Sequence, residues 1–174
     1  MNSLIYKFLI LFLLSTPAFG FNQAIVQYAG EIGKYSFGIG DDYNKTYHYS
    51  FHYGYVPSNS LQNKIETYTM KNNFNLFRYN YKNWDYRFYT GIAAFHVPGN
   101  KYKTHEISDA PDNYYRQSSI RGLFYFGHNI RFKDEHSIFL ESGINDYWIV
   151  NAYNNNSVDF TDHVSLGIGY NLKF

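Results

Sequence analysis

Residues 46–55 read TYHYSFHYGY. Every odd position carries a ring (Tyr47, Tyr49, Phe51, Tyr53, Tyr55), and every even one is small or polar (Thr46, His48, Ser50, His52, Gly54). Side chains that alternate with period 2 mark a β-strand with two unlike faces. Two environments suit such a strand. A soluble sheet would turn the rings inward, whereas a membrane-spanning barrel would turn them to lipid and line its lumen with the polar face.

The start and the composition separate these environments. The chain opens MNSLIYKFLILFLLSTPAFG, with Lys7 ahead of an apolar core from Phe8 to Leu14 and small residues at Ala18 and Gly20. That pattern predicts a secretory signal over 1–20, too short to anchor in a bilayer, and a single mature domain over 21–174. With Lys7 removed, 14 basic residues face 14 acidic ones, so nothing in the charge suggests nucleic acid. The chain has no cysteine, which argues against a disulfide-stapled extracellular domain. Aromatics make up 22% of the residues, yet mean hydropathy is −0.44. After the signal no apolar run reaches the roughly 18 residues of a membrane helix. An exported, ring-rich chain that hides its apolar half in alternation has the profile of an outer-membrane barrel.

The last twelve residues, HVSLGIGYNLKF, alternate without a break. Val164, Leu166, Ile168, Tyr170, Leu172 and Phe174 share one face, and His163, Ser165, Gly167, Gly169, Asn171 and Lys173 the other. This ending resembles the C-terminal strand of bacterial outer-membrane proteins. The resemblance implies that Tyr170, Leu172 and Phe174 are read by the barrel-assembly machinery. Similar alternation runs through 137–150, where Ile138, Leu140, Ile144, Trp148 and Val150 share a face, and through 117–132. It is weaker over 85–97 and 65–79.

Connections alternate between short (80–84, 133–136) and long or intermediate (57–63, 98–116, 151–162), as periplasmic turns and extracellular loops do. Seven strands are counted this way. In Ile25–Gly40 the apolar parity switches from even (Val26, Tyr28, Ile32) to odd (Tyr35, Phe37, Ile39) near Gly33. Because bacterial single-chain barrels have an even strand number, the switch is read as a turn between two short strands, making eight. The expected fold is an all-β, antiparallel up-and-down transmembrane barrel, similar to the small OmpX and OmpA-barrel type.

An eight-stranded barrel is filled by its own side chains. Glu31, Lys34, Glu66, Lys71, Arg87, Arg121, Arg131 and Glu141 fall mostly on lumen positions, so a paired network plugging the lumen is expected. His48 and His52 lie about 13 Å apart on a strand, too far to share a metal, and read as hydrogen-bonded lumen residues. No metal or cofactor is expected. His163 and Ser165 form a His-x-Ser pair, which is similar to the motif of the lipid A 3-O-deacylase barrels (acyloxyacyl hydrolases). In that family the motif continues into Asn, another strand follows, and the site faces lipid. Here the chain ends, and the pair shares the lumen face. A turn at 133–136 with paired residues summing near 270 places His128 opposite Ser142 on the apolar wall, a second candidate pair for acyl chemistry. The loop segment DAPDNYYR (109–116) could hold a sugar or a partner. The leading expectation is a plugged bacterial outer-membrane barrel among lipid and lipopolysaccharide, structural or interactive through loops 98–116 and 151–162. The runner-up is an enzyme acting on lipid A or phospholipid acyl chains, and the third reading is a soluble periplasmic β-sandwich.

Overall fold

The computed structural model describes residues 20–58, 64–98, 120–133, 135–146, 149 and 164–174. Eight antiparallel strands close into a barrel in which each pairs with its sequence neighbours and β1 pairs with β8. The strands are β1 Gln23–Ala29, β2 Tyr35–Asp42, β3 Tyr47–Val56, β4 Ile65–Tyr81, β5 Trp84–His96, β6 Ile120–Phe132, β7 His136–Asn145 and β8 Ser165–Lys173. Closure leaves no free sheet edge, which a lipid environment requires.

The register fixes the shape. Following paired residues once round from Trp84 passes through Phe132, His136, Leu172, Ala24, Ile39, Phe51 and Met70. The path re-enters β5 at Ala94, ten residues above its start. For eight strands a stagger of ten implies a tilt of about 41°.

The alternating side chains take the directions expected of a membrane wall. Phe37, Phe51, Phe124, Phe126, Ile138, Leu140, Leu166 and Ile168 point outward and are 39–63% exposed. In water such a wall would forgo about 25 cal/mol for every Å² of apolar surface; in hydrocarbon it forgoes nothing. The soluble β-sandwich is therefore ruled out, because these residues form no shared interior. Tyr49 alone of the opening row is buried from outside, under Phe21.

The parity switch near Gly33 is a turn, and the two strands it joins are seven and eight residues long. Gly33 has φ +136°, and a Cβ there would lie 2.8 Å from the Tyr55 nitrogen, so only glycine fits. The turn folds inward over the barrel mouth. The Ile32 carbonyl accepts a hydrogen bond from the Thr67 hydroxyl and occupies the space that a side chain at residue 54 would need.

The irregular alternation of 65–79 has a single cause. Asn75 pairs with Tyr89 and Phe77 with Phe88, leaving Leu76 as an extra residue in a β-bulge. Outward residues are even before it (Tyr68, Met70, Phe74) and odd after it (Phe77, Tyr79, Tyr81). Strand β7 ends at Asn145 rather than running on to 150, and Trp148 and Val150 lie outside the described residues.

Candidate functional site

The lumen is filled in two tiers. Toward the extracellular mouth Ile32, Ala93, Phe95, Val97, Leu123, Tyr125 and Tyr89 form a buried apolar cluster. Three inward rings lie flat across the glycine paired with them on the next strand: Tyr125 over Gly91, Tyr89 over Gly127, and Phe139 over Gly169. A Cβ on any of these glycines would come within about 2.2 Å of ring atoms, so each glycine is the slot for a ring.

Below this tier the fill is charged. Lys71 forms an ion pair with Glu141, and the Tyr89 hydroxyl donates to the other Glu141 oxygen at 2.8 Å. Lys71 also donates to Gln27 at 3.3 Å and stands 4.7 Å over the Tyr125 ring. Desolvating two charges is costly, and the extra hydrogen bonds are what make this pair tolerable. Toward the periplasmic end Asp42 takes Arg131 at 2.9 Å, His48 at 3.2 Å and Arg87 at 3.5 Å. Asp85 takes Arg87 and Arg78, each at 2.7 Å. Within the charged tier, between the Lys71–Glu141 pair and the group around Asp42, remains a void of about 40 Å³ lined also by Ser50, His52, Asn129 and Asn171, roughly the room for two or three waters. Among the described residues, side chains fill most of the lumen's cross-section.

Of the charges assigned to the lumen from the sequence, Lys71, Arg87, Arg131 and Glu141 make up its network. Glu31 accepts from Asn145 at 3.1 Å near the mouth. Lys34 and Glu66 stand elsewhere: Lys34 lies over the Tyr35 ring, and Glu66 meets Lys64 and the Tyr53 hydroxyl at the outer rim. Asp42 and Asp85, the acids that organise the periplasmic tier, were not picked out from the sequence. Asp85 and Arg87 alternate with Trp84 and Tyr86, and this was the signal available for one of them.

The outer wall carries the candidate acyl-chemistry residues. His128 faces lipid as expected, but its paired residue is Leu140, and Ser142 pairs with Phe126. The expected pairing is corrected by one step of two residues. The turn holds only Lys133 to Glu135, with Lys133 at φ 51°, so Phe132 pairs directly with His136. His128 is engaged by its Nδ1 with the Tyr86 hydroxyl at 2.7 Å, and its ring lies 5.1 Å from Phe88. Ser142 remains a diagonal neighbour, two residues along β7 from the residue that His128 pairs with.

His163 lies outside the described residues. Ser165 donates to the Gly143 carbonyl at 3.1 Å, which ties it to the sheet. Nδ1 of His48 approaches Asp42, and Nε2 of His52 meets the Ser50 hydroxyl at 2.9 Å, so both histidines are lumen residues. Among the described residues no group of three or more His, Cys, Asp or Glu is placed to hold a metal. Tyr170, Leu172 and Phe174 all face outward; the Phe174 nitrogen donates to the Asn22 carbonyl at 2.8 Å, closing the barrel. Loops 98–116 and 151–162 lie outside the described residues apart from Pro98.

No family model matches the chain, and no curated protein matches it. Solved structures do. The crystal structure of the outer membrane enzyme PagL superposes with a TM-score of 0.59 at 12% identity, over 89% of this chain and all of that one. The N-terminal β-barrel domain of Pseudomonas aeruginosa OprF superposes at 0.45, with 10% identity, over 87% of this chain and 94% of that domain. The chain thus has the fold of an eight-stranded outer-membrane β-barrel.

Proposed function

We propose that this chain is a plugged β-barrel of the Gram-negative outer membrane, made with a signal over 1–20. It is inserted by the barrel-assembly machinery through Tyr170, Leu172 and Phe174. It sits among phospholipid and lipopolysaccharide, and its role is structural or interactive, exercised through loops 98–116 and 151–162. One observation carries the reading: Lys71 and Glu141, 2% and 7% exposed, are locked together across the lumen beneath a packed apolar cap. Buried, fully engaged charges of this kind fill a space rather than conduct through it. Purified chain in planar bilayers should give no stable conductance step, and its migration on gels should be heat-modifiable. Steady single-channel steps from the wild-type chain would refute the plug.

A second reading, an enzyme that removes or adds acyl chains on lipid A or phospholipid, is favoured by the likeness to an outer-membrane enzyme along that enzyme's whole length. Its candidate residues are His128 with Ser142 on the lipid-facing wall and His163 with Ser165 at the start of β8. The engagement of His128 by a tyrosine hydroxyl, with no carboxylate among its hydrogen-bond partners in the described residues, weighs against the first pair as a base and nucleophile. Mass spectrometry of lipid A from cells with and without the chain decides this reading. An acyl change that survives alanine at all four positions would place the chemistry elsewhere.

A further inference from the structure

We infer that cleavage between Gly20 and Phe21 creates an ion pair: the new α-ammonium of Phe21 docks on the carboxylate of Asp41, on the outer wall. The inference rests on the proposed removal of residues 1–20.

Asp41 follows the odd parity of Tyr35, Phe37 and Ile39, so it points out of the barrel, one residue from the periplasmic end of β2. A carboxylate on that face needs a cation or donors. Its Oδ1 is buried and has no hydrogen-bond partner. In the described strands the other outward acid, Glu66, has Lys64 and the Tyr53 hydroxyl. Asp42, next in sequence, points into the lumen and is taken by Arg131, Arg87 and His48.

The residues over Asp41 are those at the cleavage point. A Cβ built on Gly20 would stand 3.8 Å from Asp41 Oδ2, and the Gly20 carbonyl accepts from the Tyr49 hydroxyl at 3.3 Å. The Phe21 ring is wedged edge-on against Tyr49 and Phe51, with centroids 6.3 and 6.0 Å away. Asn22 then joins the sheet, donating to the Gly40 carbonyl at 3.2 Å. Phe21 is therefore held on both sides, and its nitrogen is two bonds from the Gly20 Cα. Hydrolysis by a signal peptidase breaks the bond between the Gly20 carbonyl carbon and the Phe21 nitrogen. The hydroxyl of water goes to Gly20, and its hydrogen goes to the nitrogen, which takes up one more proton at neutral pH. Gly20 departs with the signal, and the ammonium inherits its place beside Asp41. Among the described residues, a competing carboxylate is that of Phe174, whose nitrogen donates to the Asn22 carbonyl.

The mature chain from outer membranes should begin at Phe21 by N-terminal sequencing and intact mass. Any other start overturns both the signal reading and this inference. Given that start, reductive methylation of the α-amine at pH 7 should be about tenfold slower in the wild type than in Asp41→Asn, the factor made by one unit of pKa. Lysine methylation in the same sample should not change. Asp41→Glu should restore the protection, and chain refolded from an Nα-acetylated form should lose no further stability when Asp41→Asn is added. Equal α-amine reactivity in wild type and Asp41→Asn overturns the ion pair while leaving the signal reading intact. Protection that instead disappears on amidating the Phe174 carboxylate assigns the ammonium to the other carboxylate and also overturns it.

Discussion

The two faces of β5 occupy the same thirteen residues and face different solvents. Inward stand Asp85, Arg87, Tyr89, Gly91, Ala93 and Phe95; outward stand Trp84, Tyr86, Phe88, Thr90, Ile92, Ala94 and His96. The inner set is buried and specific, since Arg87 meets two named carboxylates and Tyr89 meets Glu141 over a glycine slot. The outer set is mostly apolar, and its contacts are largely between rings, as in the edge-on Trp84–Phe132 pair at 4.3 Å. Burial outside is supplied by lipid, so almost any apolar group serves there. Burial inside is supplied by other side chains, so volume and charge must match.

That contrast orders the expected losses in stability, each read as the shift in the urea unfolding midpoint of the folded barrel in lipid vesicles. Glu141→Ala leaves Lys71 buried without its carboxylate and should cost about 3–5 kcal/mol. If Glu141→Ala proves as mild as a surface change, the lumen is wetter than its packing implies. Leu140→Arg, a charge on the outer wall at mid-strand, should cost about 2–4 kcal/mol. An insensitive Leu140 would mean that this wall does not face hydrocarbon. Gly169→Val blocks the slot of Phe139 and should cost about 1–3 kcal/mol through overpacking, although it adds apolar volume. His128→Leu removes one hydrogen bond and adds an apolar group to a lipid-facing site. Its effect should stay within about 1 kcal/mol in either direction, the net worth of such a bond. A larger loss at His128 would show that the outer wall also depends on particular partners.

The same asymmetry decides what could be read from the chain. Which way Phe51, Ile168 and Leu172 point needed only period 2, and each is exposed as the alternation requires. The eighth strand needed one further rule, the even strand count, to turn the parity switch at Gly33 into a turn. The bulge at Leu76 was visible only as poor alternation, because one inserted residue flips every later side chain to the other face. Pairing across strands was beyond local pattern. Lys71 and Glu141 are 70 residues apart, and Asp42 and Arg131 are 89 apart. The His128–Ser142 placement failed by a single step of register, because a turn's length in sequence does not state which residue closes it. Candidate chemistry therefore suffered more than architecture: a wall is defined by parity, whereas a site is defined by register.

The rings seated on Gly91, Gly127 and Gly169 have an evolutionary corollary. Each ring and its glycine, 34, 38 or 30 positions apart in the chain, form one heritable unit, since neither can enlarge alone and losing the ring alone opens a hole. Descendants of this chain should exchange such pairs together, aromatic for small and small for aromatic. Correlated swaps of that kind would trace the inside of the cylinder even where overall resemblance has faded.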